Sequence, residues 1–143
     1  MGMFDVLRIS ASGLKAERTR METIATNLAN VHATRTDEGG PFVKKEVVFA
    51  PTDVSEGRGF GVALQQKLEG VKVDEVVESK KPFERVYDPY HPDADASGYV
   101  TLPNVNVMEE MTDMVAATRA YEANVNMMNN VKQMFLKSLE IGK

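Results

Sequence analysis

The stretch RAYEANVNMMNNVKQMF, residues 119–135, decides how this chain is read. Tyr121, Val125 and Met128 recur at three- and four-residue steps, the spacing of one face of an α-helix. Phe135 and Leu139 continue the row after Lys132 interrupts it, and Met111, Met114 and Thr118 extend it upstream. Asn106 stands at the expected N-cap, and Glu109 three residues later completes a capping-box pattern. Gly142 is the expected stop. The helix so bounded is roughly 55 Å long at 1.5 Å per residue. It also holds Asn124, Asn126, Asn129 and Asn130, although asparagine is a poor helix former whose side chain competes for backbone groups. Fixing so long a helix costs about as much as its own apolar stripe and backbone hydrogen bonds return together. It is therefore expected to gain its stability from other chains.

Working outward, the amino-terminal end shows the same rhythm. Phe4, Leu7, Ala11, Leu14, Met21, Ala25 and Leu28 alternate by three and four, with Arg18 as the one interruption. Ile24 and Val31 widen this seam. Gly13 sits inside it and costs roughly 1 kcal/mol relative to alanine. Arg18 with Glu22, and Glu17 with Arg20, are spaced for intrahelical ion pairs. Between the two helices lie all six prolines and most of the glycines. Short Val- and Phe-rich runs at 42–51, 61–68, 71–77 and 83–89 are separated by turn residues and read as strands. TRTDEGGP, 34–41, reads as a loop. The expected fold is mainly α with a β insert. Long N- and C-terminal helices form a coiled-coil-like core around a small β-rich middle domain. The expected boundaries are 1–33, 34–103 and 104–143.

Composition removes several function classes. The 143 residues carry a net charge of −4 and no cysteine. A general nucleic-acid binder is not expected, and disulfides, thiol catalysis and cysteine-ligated zinc are excluded. No run of about 18 apolar residues spans a membrane, and the amino terminus lacks the basic-then-apolar order of a cleaved signal. Asp93-x-Asp95-x-Ser97-Gly98 matches the first half of a calcium loop, but Asn104 stands where the bidentate Glu belongs. GRGFG, 57–61, lacks the Lys-Ser/Thr of a phosphate loop. His32 and His91 have no second ligand at metal spacing. Glu109 and Glu110 suit the positive end of a helix dipole. Nothing assembles a nucleophile, a base and an oxyanion donor, so no catalytic, cofactor or metal site is expected.

ISASGLKAERTRMETIATNLANVHATRTDEGGPFVKKEVVF (9–49) and DPYHPDADASGYVTLPNVNVMEEMTDMVAATRAYEANV (88–125) resemble the two signatures of the bacterial flagellar axial family. The first, with its TRTDEGGP segment, is most similar to the basal-body rod members. The resemblance implies a structural subunit of the proximal rod. Such a subunit assembles helically, links the rotor ring to the distal rod and hook, and transmits torque. It implies copies of itself, other rod subunits and a rod-to-rotor-ring adaptor as partners. It implies passage through the flagellar type III export apparatus without a cleaved signal, and a place in the basal body where the rod crosses the periplasm.

On this reading Phe4, Leu7, Leu14, Met21, Ile24 and Leu28 are interface residues of the first helix. Met111, Met114, Tyr121, Val125, Met128, Phe135 and Leu139 are those of the second. Asn27, Asn30, Asn124, Asn129 and Asn130 set register between chains or face the channel that, as the resemblance implies, the assembled helices enclose. Two alternatives are another flagellar axial subunit and a secreted coiled-coil binding module, calcium-responsive through Asp93, Asp95 and Ser97.

Overall fold

A computed structural model describes residues 3–37, 39–53 and 69–141. The strand expected at 61–68, the GRGFG turn and the Gly142 stop lie outside the described residues. The order is α1 (Met3–Ala29), β1 (Lys45–Asp53), β2 (Glu69–Glu78), β3 (Glu84–Tyr87), β4 (Tyr99–Leu102) and α2 (Val107–Ile141). Two long helices thus flank a small β region, a mainly α architecture with a β insert.

Asn106 starts α2 by the expected means. Its Oδ1 accepts the amides of Met108 and Glu109 at 3.0 and 3.2 Å. The reciprocal half of the capping box is replaced, because the Glu109 carboxylate is held by Lys81 Nζ at 2.9 and 3.1 Å. Asn30 closes α1, its amide reaching the carbonyls of Thr26 and Asn27. Arg18 pairs with Glu22 at 2.9 Å, as expected. Arg20 instead reaches Asp113 at 3.5 Å on the other helix, because α2 brings a carboxylate to that side.

The helices run antiparallel. Asn27 meets Glu110, Arg20 meets Asp113, and Gly13 meets Asn124. Gly13, Arg20 and Asn27 are seven residues apart, and so are Glu110, Ala117, Asn124 and Val131. The seam of closest approach is therefore small and polar. A Cβ on Gly13 would stand 3.0 Å from Asn124 Nδ2, so glycine here admits the partner helix at close range. The large apolar heptad of α1 lies to the side, with Phe4 71% exposed and Leu7, Leu14, Met21 and Leu28 half-buried.

Two antiparallel hairpins fill the middle. β1 pairs with β2 from Lys45 opposite Glu78 to Asp53 opposite Glu69, with a bulge between Val48 and Phe49. β3 pairs with β4 from Glu84 opposite Leu102 to Tyr87 opposite Tyr99. A lone two-stranded hairpin is marginal in water, and β1–β2 gains its support by lying along α1. There Val71 donates its amide to Ser12 Oγ at 3.1 Å. Among these elements α2 packs on α1 alone, and β3–β4 packs on no other helix or strand.

The pairs Asn27–Glu110 and Gly13–Asn124 advance one for one, so the first residue of α1 lies level with position 134. Residues 135–141 of α2 continue beyond it, about 10 Å of helix.

The Gly13 contact has a measurable signature. Gly13→Ala should add the helix gain of about 1 kcal/mol only when Asn124 is also shortened to alanine. In the wild-type background crowding against Asn124 should cancel most of it. Urea unfolding of the four proteins reads this coupling, and equal effects in both backgrounds would show that the helices are not in close contact here.

Candidate functional site

Two features organise the molecule for contact, a buried polar knot at one end of the helix pair and uncovered apolar faces elsewhere. The knot begins at Asn27, 1% exposed. Its Nδ2 donates to the carbonyl of Lys45 and to Glu110 Oε2, both at 2.9 Å, and its Oδ1 accepts the Lys45 amide at 2.9 Å. One side chain thus satisfies both backbone groups at the start of β1. The buried Lys44 ammonium stands 2.6 Å from Glu110 Oε1 and 3.8 Å from Glu109 Oε2. The Lys44 amide donates to Asn104 Oδ1 at 2.8 Å, and Asn104 Nδ2 donates to the Lys81 carbonyl at 2.8 Å. Four segments, around Asn27, Lys44–Lys45, Lys81 and Asn104–Glu110, meet there.

Burial alone would pull the Lys44 pKa down. The Glu110 carboxylate, helped by Glu109 and Glu46, outweighs it and holds the pKa above the ordinary lysine value of 10.5. Lys81 first, then Lys44, hold the Glu109 carboxyl below its usual range. Beside the knot a cleft of about 370 Å³ opens between α1, β1 and α2. Arg20, Lys44 and Lys45 line it with Glu109, Glu110 and Asp113, charges of both signs with no nucleophile set against a base. Among the described residues no cluster of three or more His, Asp or Glu is placed to hold a metal ion.

The interface residues expected from the sequence divide into two groups. Met114, Tyr121, Val125 and Met128 are half-buried on the side of α2 that meets α1, and Ile24 is buried. Met111, Phe135 and Leu139 are exposed, as are Met134, Leu136 and Ile141, the last at 86%. From Lys132 to Ile141 every residue is exposed. No helix of the described chain is long and apolar enough to cross a membrane.

The asparagines have different duties. Asn27, expected to set register between chains or face a channel, is buried within its own chain, where it fixes α1 against β1 and α2. Asn124 packs on Gly13 and returns its Nδ2 to the Ala120 carbonyl at 3.1 Å; Asn30 does the same to Thr26 at 2.8 Å. This back-bonding lets asparagine sit in or beside a helix. Asn129 and Asn130 are exposed. Sequence reasoning missed Lys44, Asn104 and Glu110 as a structural set. Glu110 had one signal, its place seven residues before Ala117 and fourteen before Asn124.

The acidic loop weighed as a calcium site is tied up internally. Asp95 Oδ1 accepts the amides of Ser97 and Tyr99 at 2.7 and 3.0 Å, and its Oδ2 accepts Arg85 at 2.8 Å. These backbone amides, then Arg85, hold the Asp95 carboxyl below its usual range. Asp93 Oδ2 accepts Thr34 Oγ1 at 2.8 Å.

Comparison with known proteins agrees with this architecture. The family model described as flagella basal body rod protein matches residues 7–35. The model described as flagellar basal body rod FlgEFG protein C-terminal matches residues 96–141. The chain is 43% identical to the flagellar basal-body rod protein FlgC of Bacillus subtilis, covering all of both chains. It is 41% identical to that of Borreliella burgdorferi, over 99% of this chain and 98% of the relative. It is 40% identical to that of Salmonella typhimurium, again over all of both.

Two outcomes are expected of the knot. Lys44→Met should destabilise the chain by about 3–5 kcal/mol by stranding Glu110, and pairing it with Glu110→Leu should recover most of that loss. Because the folded pKa of Lys44 is raised, its contribution is present below pH 10.5 and is lost as pH rises through the folded value. Wild-type stability should therefore fall above pH 10.5 more steeply than that of Lys44→Met. Parallel curves in chemical denaturation would remove Lys44 from the account.

Proposed function

We propose a mechanical role for this chain, which belongs to the flagellar basal-body rod protein family. It is a structural rod subunit of the basal body and not an enzyme. In our reading it builds the proximal rod, where copies of it and other rod subunits pack side by side. The rod joins the rotor ring, through an adaptor, to the distal rod and hook and carries torque between them. The subunit reaches its place through the flagellar type III export apparatus and works where the rod crosses the periplasm.

The observation that carries the reading is the uncovered apolar surface. Residues 132–141 and the outer heptad of α1 present Phe4, Phe135 and Leu139 to water in the isolated chain. The two apolar stripes differ from each other, as heterologous contacts in a helical assembly require. Coiled-coil-type packing of α1 and α2 would then form between subunits, and Leu7, Leu14, Met21 and Met111 would be buried there.

Two measurements test this. Phe135→Asp with Leu139→Asp alters only exposed positions, so the far-ultraviolet circular dichroism of the isolated chain should be unchanged. A strain carrying it in place of the normal gene should fail to swim and to form hooks, and a swimming strain would sink the reading. Amide exchange on the dilute chain should be fast over 132–141 and slow near Asn27 and Glu110. In isolated rods the tip should become protected as well.

A further inference from the structure

Three of the four tyrosines, Tyr87, Tyr90 and Tyr99, lie on the β3–β4 hairpin and its loop. Tyr90 is 97% exposed, and Tyr87 and Tyr99 are also open to water. The hairpin supports no other element, so the fold does not require the Tyr90 ring. The loop beneath it is nevertheless fixed. Asp88 Oδ1 accepts the Tyr90 amide at 3.2 Å, and His91 Nδ1 accepts the Asp93 amide at 3.1 Å. Asp95 closes the loop on Ser97 and Tyr99, and Gly98, with φ of +79°, makes the last turn. Thr34 ties the loop to the segment after α1. A large ring held in water by an ordered loop is preorganised for contact.

The chemistry of the contact is also on the hairpin. Glu84, Asp88, Asp93 and Asp95 face a single arginine in the segment from Glu84 to Leu102. That arginine shows how these rings take a cation. The Arg85 guanidinium lies 5.5 Å from the centre of the Tyr99 ring while it pairs with Asp95 at 2.8 Å. Tyr87 meets the same ring edge-on at 5.2 Å. Tyr90, surrounded by the same carboxylates in sequence, keeps its ring uncovered. The hairpin is acidic, so the same hairpin of a second copy is repelled and a basic segment is drawn in.

We propose that the Tyr90 loop docks an arginine-bearing basic segment of a different protein, with the guanidinium over the Tyr90 ring and the acidic loop supplying the counter-charge. This recognition requires a π face, which distinguishes it from simple apolar burial.

The test uses the full chain with labelled tyrosine rings, followed by nuclear magnetic resonance. The probes are a synthetic peptide of alternating Arg and Ser and its Glu–Ser counterpart. Because Tyr90 is exposed, Tyr90→Phe and Tyr90→Leu should keep the Tyr87 and Tyr99 ring signals of the native hairpin. The Arg peptide should shift the Tyr90 ring, and the Glu peptide should not. Tyr90→Phe should bind like wild type, and Tyr90→Leu should bind about two- to thirty-fold more weakly, the range expected for loss of a cation–π contact. Equal binding by Tyr90→Leu, equal response to the Glu peptide, or no shift at all would overturn the proposal.

Discussion

The structure depends on one buried contact, the side-chain amide of Asn27 pairing with the backbone of Lys45 while it also holds Glu110. Through it α1 holds both β1 and α2. The buried apolar side chains among the described residues are Ala16, Ile24, Val100, Ala117 and Val131, too few and too small to organise two long helices and a hairpin alone. The Asn27 amide does what a neighbouring strand would do for β1, and the Lys44–Glu110 pair closes over it. Burying such a pair is not in itself stabilising, but leaving either partner alone is costly. The knot therefore specifies one arrangement more than it deepens the energy well.

α1 is the shared floor. It receives α2 on one side and β1–β2 on the other, and neither of those touches the other as an element. A helix with two intramolecular neighbours has its small and polar residues turned inward, and its large apolar ones fall at the flanks. This inverts the usual expectation that the strongest apolar stripe marks the internal core. For a subunit that functions only inside a larger structure, the inversion is economical. The interior needs close approach, provided by Gly13, Ala16 and Ala117. The exterior needs broad apolar faces.

Much of this was legible in the sequence. The two helices, the Asn106 cap, the Arg18–Glu22 pair and the strands near 45, 71 and 84 follow from periodicity and local chemistry. The family signatures at both ends pointed to the rod. The seam between the helices was not legible, because Gly13 near Asn124 and Asn27 near Lys45 are long-range facts. Glycine and asparagine inside a helix look like local defects until the partner is in view. The Asn27–Lys44–Glu110 set was hidden for the same reason, since each residue has an ordinary local reading as a cap, a strand edge or a helix-dipole charge. Glu109 was read as closing the cap, yet Lys81, nearly thirty residues away, competes for it and wins.

The seven-residue spacing of the seam also bears on load. Apolar stripes resist being pulled apart but resist sliding poorly, because the next heptad offers similar contacts. Sliding α2 by one heptad would set Ala117 against Asn27 and leave Glu110 without its amide and its ammonium. The knot is therefore a shear key, fixing the helices lengthwise at one end. At the opposite end residues 135–141 of α2 overhang α1 and are exposed along their whole length. One subunit thus combines a keyed end, where axial force passes between its helices without slip, and an overhanging tip whose apolar side chains lie open to a neighbour.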